Sequence, residues 1–77
     1  MLELLHYLVT KIVKDPDTVK ITQQEEEKDN IVYNLELPEE ERGVIIGKGG
    51  MNIRALRNVL SIIAKRENKR VYIKVSD

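Results

Sequence analysis

Hydrophobic and polar residues repeat along this chain with two periods, one typical of helices and one typical of strands. Residues 2–13 and residues 52–66 place apolar side chains three and four positions apart, which predicts two amphipathic helices. Residues 19–24, 31–37 and 71–75 alternate apolar and polar side chains, which predicts three half-buried strands.

Three further segments complete this pattern. The charged stretch EEEKDN, residues 25–30, is predicted to be a hairpin loop between the first two strands. A short segment, residues 42–46, precedes a glycine cluster and is predicted to be helical. The long helix that follows is predicted to turn one apolar stripe toward the core, formed by Ile53, Leu56, Val59, Leu60, Ile63 and Ala64.

The predicted order of elements is αββααβ. Three short strands and helices that cover one face of their sheet make a two-layer α+β fold. A chain of 77 residues is expected to form one domain over residues 1–77. The uncovered sheet face is expected to present polar side chains, namely Lys20, Thr22, Asn34, Glu36 and Lys74.

Charge is divided unevenly along the chain, although the formal net charge is zero. Residues 1–41 carry four basic and eleven acidic side chains, whereas residues 42–77 carry nine basic and two acidic ones. The glycine cluster lies in the second part. That part has the positive charge that an anionic partner such as a nucleic acid requires.

Three of the four glycines lie within residues 47–50, between two segments that are predicted to be helical. Glycine provides the positive φ that a steep turn between helices requires. The turn also contains Lys48, and the next helix follows at once, so its N-terminal amides and the lysine would attract the same phosphate. Arg54 and Arg57 extend this positive charge along the helix.

Spacing excludes two other phosphate-binding loops. A Walker loop requires G-x-x-x-x-G-K followed by Ser or Thr, but Gly43 and Gly47 are one residue too close and Gly49 follows Lys48. A dinucleotide fingerprint lies on a turn from strand to helix, whereas this turn lies between two predicted helices.

The stretch VIIGKGGMNIRALR, residues 44–57, resembles the hallmark of KH domains, a G-x-x-G turn between two helices. The αββααβ order resembles the type II, or prokaryotic, KH arrangement over essentially the whole chain. At this length the chain is similar to the KhpA-type family of small bacterial RNA-binding proteins. One departure is Met51, where many relatives carry Arg or Lys.

This resemblance implies a groove for about four nucleotides of single-stranded RNA. The glycine turn and its helices would form one wall, and the last strand and the hairpin loop the other. The implied RNA contacts are Ile46, Gly47, Lys48, Gly49, Gly50, Asn52, Ile53, Arg54, Arg57, Tyr72 and Lys74. The sequence does not distinguish RNA from single-stranded DNA.

Several of these residues also have plainer interpretations. Ile46 and Ile53 fit a core stripe as well as an apolar floor for bases. Arg54 and Arg57 fit a solvated helix face. The acidic loop at residues 25–30 would repel phosphate if it bordered the groove.

A different class of function is a non-catalytic assembly module with little RNA affinity of its own. Ala55, Ile62 and Arg66 lie on the long helix opposite its core stripe, and we expect them to form a dimer or partner surface. The resemblance implies a homodimer and a larger Jag/KhpB-type RNA-binding partner.

Catalytic and metal-binding patterns are missing from the sequence. It has one histidine, His6, and no cysteine. Residues 39–41 are three glutamates, interpreted as a charge run ahead of a helix that interacts favourably with the helix dipole. The sequence therefore predicts a non-enzyme without metal or cofactor. The apolar N-terminus lacks the cationic start of a signal peptide, which predicts a cytoplasmic protein.

Overall fold

The computed structural model describes residues 1–27 and 29–76 of the chain. The elements are α1 (Leu2–Ile12), β1 (Lys20–Glu27), β2 (Asn30–Glu36), α2 (Glu39–Ile46), α3 (Met51–Arg66) and β3 (Arg70–Ser76), with short 3₁₀ turns at Pro16–Thr18 and Lys48–Gly50. The predicted αββααβ order is confirmed.

The three strands form one mixed sheet in the order β1-β2-β3. β1 and β2 are antiparallel, whereas β3 is parallel to β2, with Asn30 opposite Arg70 and Glu36 opposite Ser76. Beyond the ladder, the Arg70 N–H donates to the Asp29 carbonyl at 2.8 Å and the Leu37 N–H donates to the Ser76 carbonyl at 3.0 Å. β3 is therefore held along its whole length and forms one edge of the sheet.

The hydrophobic core lies between the helices and one face of the sheet. Its buried side chains are Leu5, Val9, Val13, Ile31, Tyr33, Leu35, Leu37, Ile45, Leu56, Leu60, Ala64 and Val71. The alternation predicted for β2 is confirmed, because Ile31, Tyr33 and Leu35 all lie on the covered face. This packing fixes α3 against the sheet, since α3 and β3 each contribute buried side chains.

Two valines differ from the predicted pattern. Val59 was predicted in the core stripe but is 42% exposed, because it lies about 100° around the helix from the buried Leu60. Val32 lies on the uncovered face and is nevertheless buried, with Gln24 and Tyr72 beside it in register. Long neighbouring side chains can bury a central-strand residue without a covering helix.

Two predicted boundaries were wrong. β1 continues to Glu27 instead of ending before residue 25, since ladder pairing with β2 compensates for the low strand preference of glutamate. Lys28, also assigned to that loop, lies outside the described residues. α2 begins at Glu39, so the three glutamates form its first turn rather than preceding it. Negative side chains are favourable at that end of a helix.

The helices in the described part of the chain are too short or too polar for any of them to cross a membrane.

Candidate nucleic-acid interface

The glycine turn, Gly47–Gly50, joins α2 to α3 through three residues with positive φ. Gly47 has φ 75° and ψ 172°, a combination that essentially only glycine adopts. Gly49 and Gly50 lie in the left-handed region, with φ of 64° and 78°. A Cβ on Gly47 would lie 2.8 Å from Cγ of Asn52, whereas a Cβ on Gly49 would meet nothing within 4 Å. Position 47 therefore requires glycine, both for its backbone conformation and because the Asn52 side chain leaves no room for a Cβ.

Hydrogen bonds hold the turn in this conformation. The Gly47 N–H donates to the Gly43 carbonyl at 2.9 Å, and the Gly50 N–H donates to the Gly47 carbonyl at 3.1 Å. From α3, Arg54 Nη2 donates to the Gly49 carbonyl at 2.8 Å. Within the described residues, the backbone amides of Lys48 and Gly49 have no acceptor. These two N–H groups are available to an anion beside the Lys48 side chain.

A basic groove runs between α3 and the edge strand β3. One cavity in it, of about 280 Å³, is lined by Arg57, Ser61, Lys65, Lys69, Arg70, Val71 and Tyr72. An adjoining cavity, of about 370 Å³, is lined by Asn30, Val32, Arg57, Tyr72, Ile73 and Lys74. The two cavities share Arg57 and Tyr72, and among the described residues that line them five are basic and none is acidic. The groove therefore carries the positive potential that a phosphate backbone requires.

Of the predicted RNA contacts, one exposed side chain lies in the glycine turn and three line the groove. Lys48 is exposed in the turn, and Arg57, Tyr72 and Lys74 line the groove. Tyr72 is 43% exposed on the strand that forms the groove wall. These residues extend from the glycine turn along α3 to the edge of the sheet.

The other predicted contacts divide between exposed and structural positions. Ile46 is 39% exposed beside the turn, while its neighbour Ile45 is fully buried and belongs to the core. Ile53 is half-buried and packs against the core. Asn52 donates through Nδ2 to the Val44 carbonyl at 2.8 Å. Asn52 and Arg54 both make bonds that shape the turn itself.

Sequence reasoning missed Lys69 as a groove residue. Lys69 follows α3 directly, and the parallel pairing of β3 with β2 brings this connection to the groove. The basic stretch NKR at residues 68–70 was the available signal. Asp29 and Asn30 of the hairpin lie near this end of the groove, where they line a further cavity with Lys65 and Arg70.

A separate side of α3 carries exposed apolar residues. Met51 is 65% exposed, Val59 42% and Ile62 61%. Ala55 and Arg66 are exposed at the same helical spacing. We call these five residues the α3 stripe. It lies beside the groove-facing residues of α3, not among them.

Comparisons with known proteins identify the family of this chain. The family described as "KhpA/KhpB, KH domain" matches residues 2–75. RNA-binding protein KhpA of Chlamydia pneumoniae is 34% identical over 77 residues, which cover 100% of this chain and 97% of that protein. RNA-binding protein KhpA of Clostridium acetobutylicum is 33% identical over 75 residues, covering 97% of this chain and 99% of that protein.

Similarity in structure extends to a much larger protein. A crystal structure of Era in complex with MgGDPNP and nucleotides 1506–1542 of 16S ribosomal RNA superposes with a TM-score of 0.55. The match has 18% identity and covers 96% of this chain but 28% of the Era chain, so it concerns the fold alone. Together with the αββααβ order and the family match, it confirms the predicted type II KH fold. The chain therefore belongs to the KhpA/KhpB family of KH-domain proteins, a non-enzymatic family.

Proposed function

We propose that this protein binds single-stranded RNA and holds a short stretch of its backbone with the glycine turn. The observation that carries the proposal is the pair of amides at Lys48 and Gly49, which have no acceptor in the described chain and lie in the turn just ahead of α3. The exposed Lys48 side chain adds a positive charge at the same place. Phosphate oxygens are the ligands that such a site favours.

The basic groove continues this site toward the sheet. Beyond the turn, a strand of RNA would pass Arg57, whose guanidinium supplies charge-assisted hydrogen bonds to phosphate. It would then reach Tyr72, where an exposed ring can stack on a base, and the edge of β3, whose backbone can read base edges. Exposed Ile46 and half-buried Ile53 would give the bases an apolar contact.

Both the relatives and the charge distribution support this proposal. The KhpA proteins of Chlamydia pneumoniae and Clostridium acetobutylicum are named RNA-binding proteins. Salt dependence is expected to be strong, because the lining cations would displace counterions from the RNA. With one groove per chain we expect an affinity in roughly the micromolar range.

The proposal is tested by fluorescence anisotropy of a labelled random-sequence single-stranded RNA at two salt concentrations. The test variant is Lys48→Asp/Gly49→Asp. Asp tolerates the left-handed conformation, and position 49 is sterically open, so the turn should still form. The double variant His6→Asp/Lys14→Asp, at exposed positions in and just after α1, gives the same change in net charge and serves as control.

The wild type and the control variant should bind with similar, salt-sensitive affinity, and the turn variant should lose binding while keeping its circular dichroism spectrum. If the turn variant binds as well as the control, the glycine turn is not the RNA site. If the wild type does not bind, the assembly role described below is favoured. A labelled single-stranded DNA of the same length shows whether the site distinguishes RNA from DNA.

We further propose that the α3 stripe is an assembly surface, because Met51, Val59 and Ile62 expose apolar side chains on one side of one helix. It would pair two copies of a chain whose residues 1–77 form one KH domain, or one copy with a larger KhpB-type partner. A second groove would raise the effective affinity for RNA without any new contact. An RNA ligand and the absence of cysteine both fit the reducing cytoplasm.

A further inference from the structure

The carbonyl of Val44 has an unusual donor. In a continuous α-helix the carbonyl of residue 44 accepts from the N–H of residue 48. Here the chain leaves the helix at Gly47, and the Val44 carbonyl instead accepts from Asn52 Nδ2 at 2.8 Å. The Lys48 N–H is thereby left without an acceptor in the described chain.

Gly47 and Asn52 make this exchange possible together. Asn52 is half-buried, and its Cγ, Nδ2 and backbone N would lie 2.8, 2.9 and 3.0 Å from a Cβ on Gly47. Only a residue without a Cβ lets the amide approach the end of α2 this closely. Asparagine also has the NH₂ group that a carbonyl needs, which neither aspartate nor leucine of similar size can supply.

We propose that Asn52 is a positioning residue of the RNA site, which caps the Val44 carbonyl in place of the Lys48 N–H and so keeps that N–H available to phosphate. The effect of this cap on RNA binding rests on the proposed RNA-binding function. It replaces the direct RNA contact that the sequence suggested for Asn52 with an indirect role. The side chain acts through the Lys48 backbone amide and does not touch the ligand.

Hydrogen exchange followed by NMR tests the cap directly. In Asn52→Leu the side chain keeps its size but has no donor. The Lys48 N–H should then bond to the Val44 carbonyl, and its hydrogen exchange should become about tenfold slower. Asn52→Ala, which favours helix, serves the same purpose if Asn52→Leu does not fold. The control is Thr10→Val, which removes the 2.8 Å bond from Thr10 Oγ1 to the Tyr7 carbonyl on α1. Unchanged exchange at Lys48 in the Asn52 variants would overturn the proposal.

RNA affinity, measured by anisotropy with the same labelled random-sequence RNA, tests whether Asn52 affects RNA binding through the Lys48 N–H. Asn52→Leu should weaken binding about tenfold, as expected for one lost hydrogen bond to phosphate, and Thr10→Val should not. The decisive comparison uses two backgrounds that both lack the lysine charge. Lys48→Ala keeps the N–H, whereas Lys48→Pro removes it at the first position of a 3₁₀ turn, where proline is tolerated.

Asn52→Leu should weaken RNA binding about tenfold in the Lys48→Ala background and less than about twofold in the Lys48→Pro background. Equal losses in both backgrounds would overturn the proposal, because Asn52 would then act on RNA by another route. If the wild type binds no RNA, the proposed function fails. The exchange rate of the Lys48 N–H still decides whether Asn52 caps Val44.

Discussion

The carboxylate of Glu41 accepts a hydrogen bond from the backbone N–H of Asp15 at 2.7 Å, and its other oxygen accepts from the Lys14 N–H at 3.2 Å. Glu41 is only 6% exposed. Its position in the first turn of α2 therefore places an acceptor pair against the segment that follows α1. The side chain connects two parts of the fold that are distant in sequence and accepts from the amides of two residues that follow α1.

We expect Glu41→Ala to lower the free energy of unfolding by about 2–4 kcal/mol, because two amides lose a charged acceptor. Glu41→Gln keeps one acceptor oxygen and should cost about half as much. Glu40→Gln, at the exposed neighbouring position, should change stability by less than about 0.5 kcal/mol. Urea unfolding followed by circular dichroism measures all three. Equal midpoints for Glu41→Ala and Glu40→Gln would show that the bonds contribute nothing.

The hydrogen bonds of Glu41 also show why part of the fold was predictable from the sequence and part was not. Periods of two and 3.6 residues are local, so they predicted the order of elements and the buried face of β2 around Tyr33. The three glutamates looked alike in sequence. Only the tertiary structure shows that Glu41 is the buried one of the three, because its partners lie 26 and 27 residues away.

The candidate site was likewise predictable from the sequence only in part. The G-x-x-G spacing and the charge of Lys48 and Arg57 are local features, and they located the turn and one groove wall. Lys69 joins the groove only because β3 pairs parallel to β2 and carries the α3–β3 connection with it. Asn52 was assigned to RNA from its place in the motif, whereas the structure gives its amide a backbone partner.

The glycines of the turn are predicted to differ in how well they tolerate substitution. Gly47→Ala should cost about 3 kcal/mol of unfolding free energy, because it combines backbone strain with a contact to Asn52 that is too short. Gly49→Asn should cost less than about 1 kcal/mol, since asparagine accepts the left-handed conformation and the position is open. Urea midpoints compare the two. Gly47→Ala should cost less in an Asn52→Ala background, where the steric part is gone, and an equal cost in both backgrounds would mean that the backbone strain accounts for the whole loss.

Arg57 is predicted to act on RNA through charge, because it lines both cavities of the groove. Arg57→Gln should reduce the slope of log affinity against log salt by about 0.7, the value for one phosphate contact on a single strand. Lys14→Gln, an equal charge change after α1, should leave that slope unchanged. Anisotropy titrations at four or more salt concentrations give the slope. The same reduction in both variants would indicate an effect of net charge alone.

Stability is predicted to fall in alkali because of Tyr33. Burial, and then the negative charge of Glu67, raises the pKa of Tyr33 above its ordinary value of 10.0. The folded protein thus holds the phenol proton more tightly than the unfolded chain, so this contribution is complete below pH 10 and is lost as the pH rises through the folded pKa. Urea unfolding between pH 8 and pH 11 measures it. Tyr33→Phe should reduce the alkaline loss, whereas Tyr7→Phe, at an exposed ring, should not.

Ile62→Asp is predicted to separate the proposed dimer. Ile62 is 61% exposed on the α3 stripe, and burying a carboxylate there against a second apolar surface would cost a few kcal/mol, enough to raise the dissociation constant about a hundredfold. Size-exclusion chromatography with light scattering should give a dimer mass for the wild type and for His6→Asp, which adds the same charge to α1. Ile62→Asp should give a monomer mass.

The RNA affinity of the same variants tests whether the two proposed functions are connected. Since the groove lies on a different side of α3 from Ile62, a folded monomer should keep the affinity of one groove for a short RNA. It should lose only the added affinity for an RNA long enough to reach two grooves. If Ile62→Asp weakens binding to short and long RNA equally, the stripe contributes to the groove itself. A monomer mass for the wild type would show that the stripe does not pair two copies of this chain.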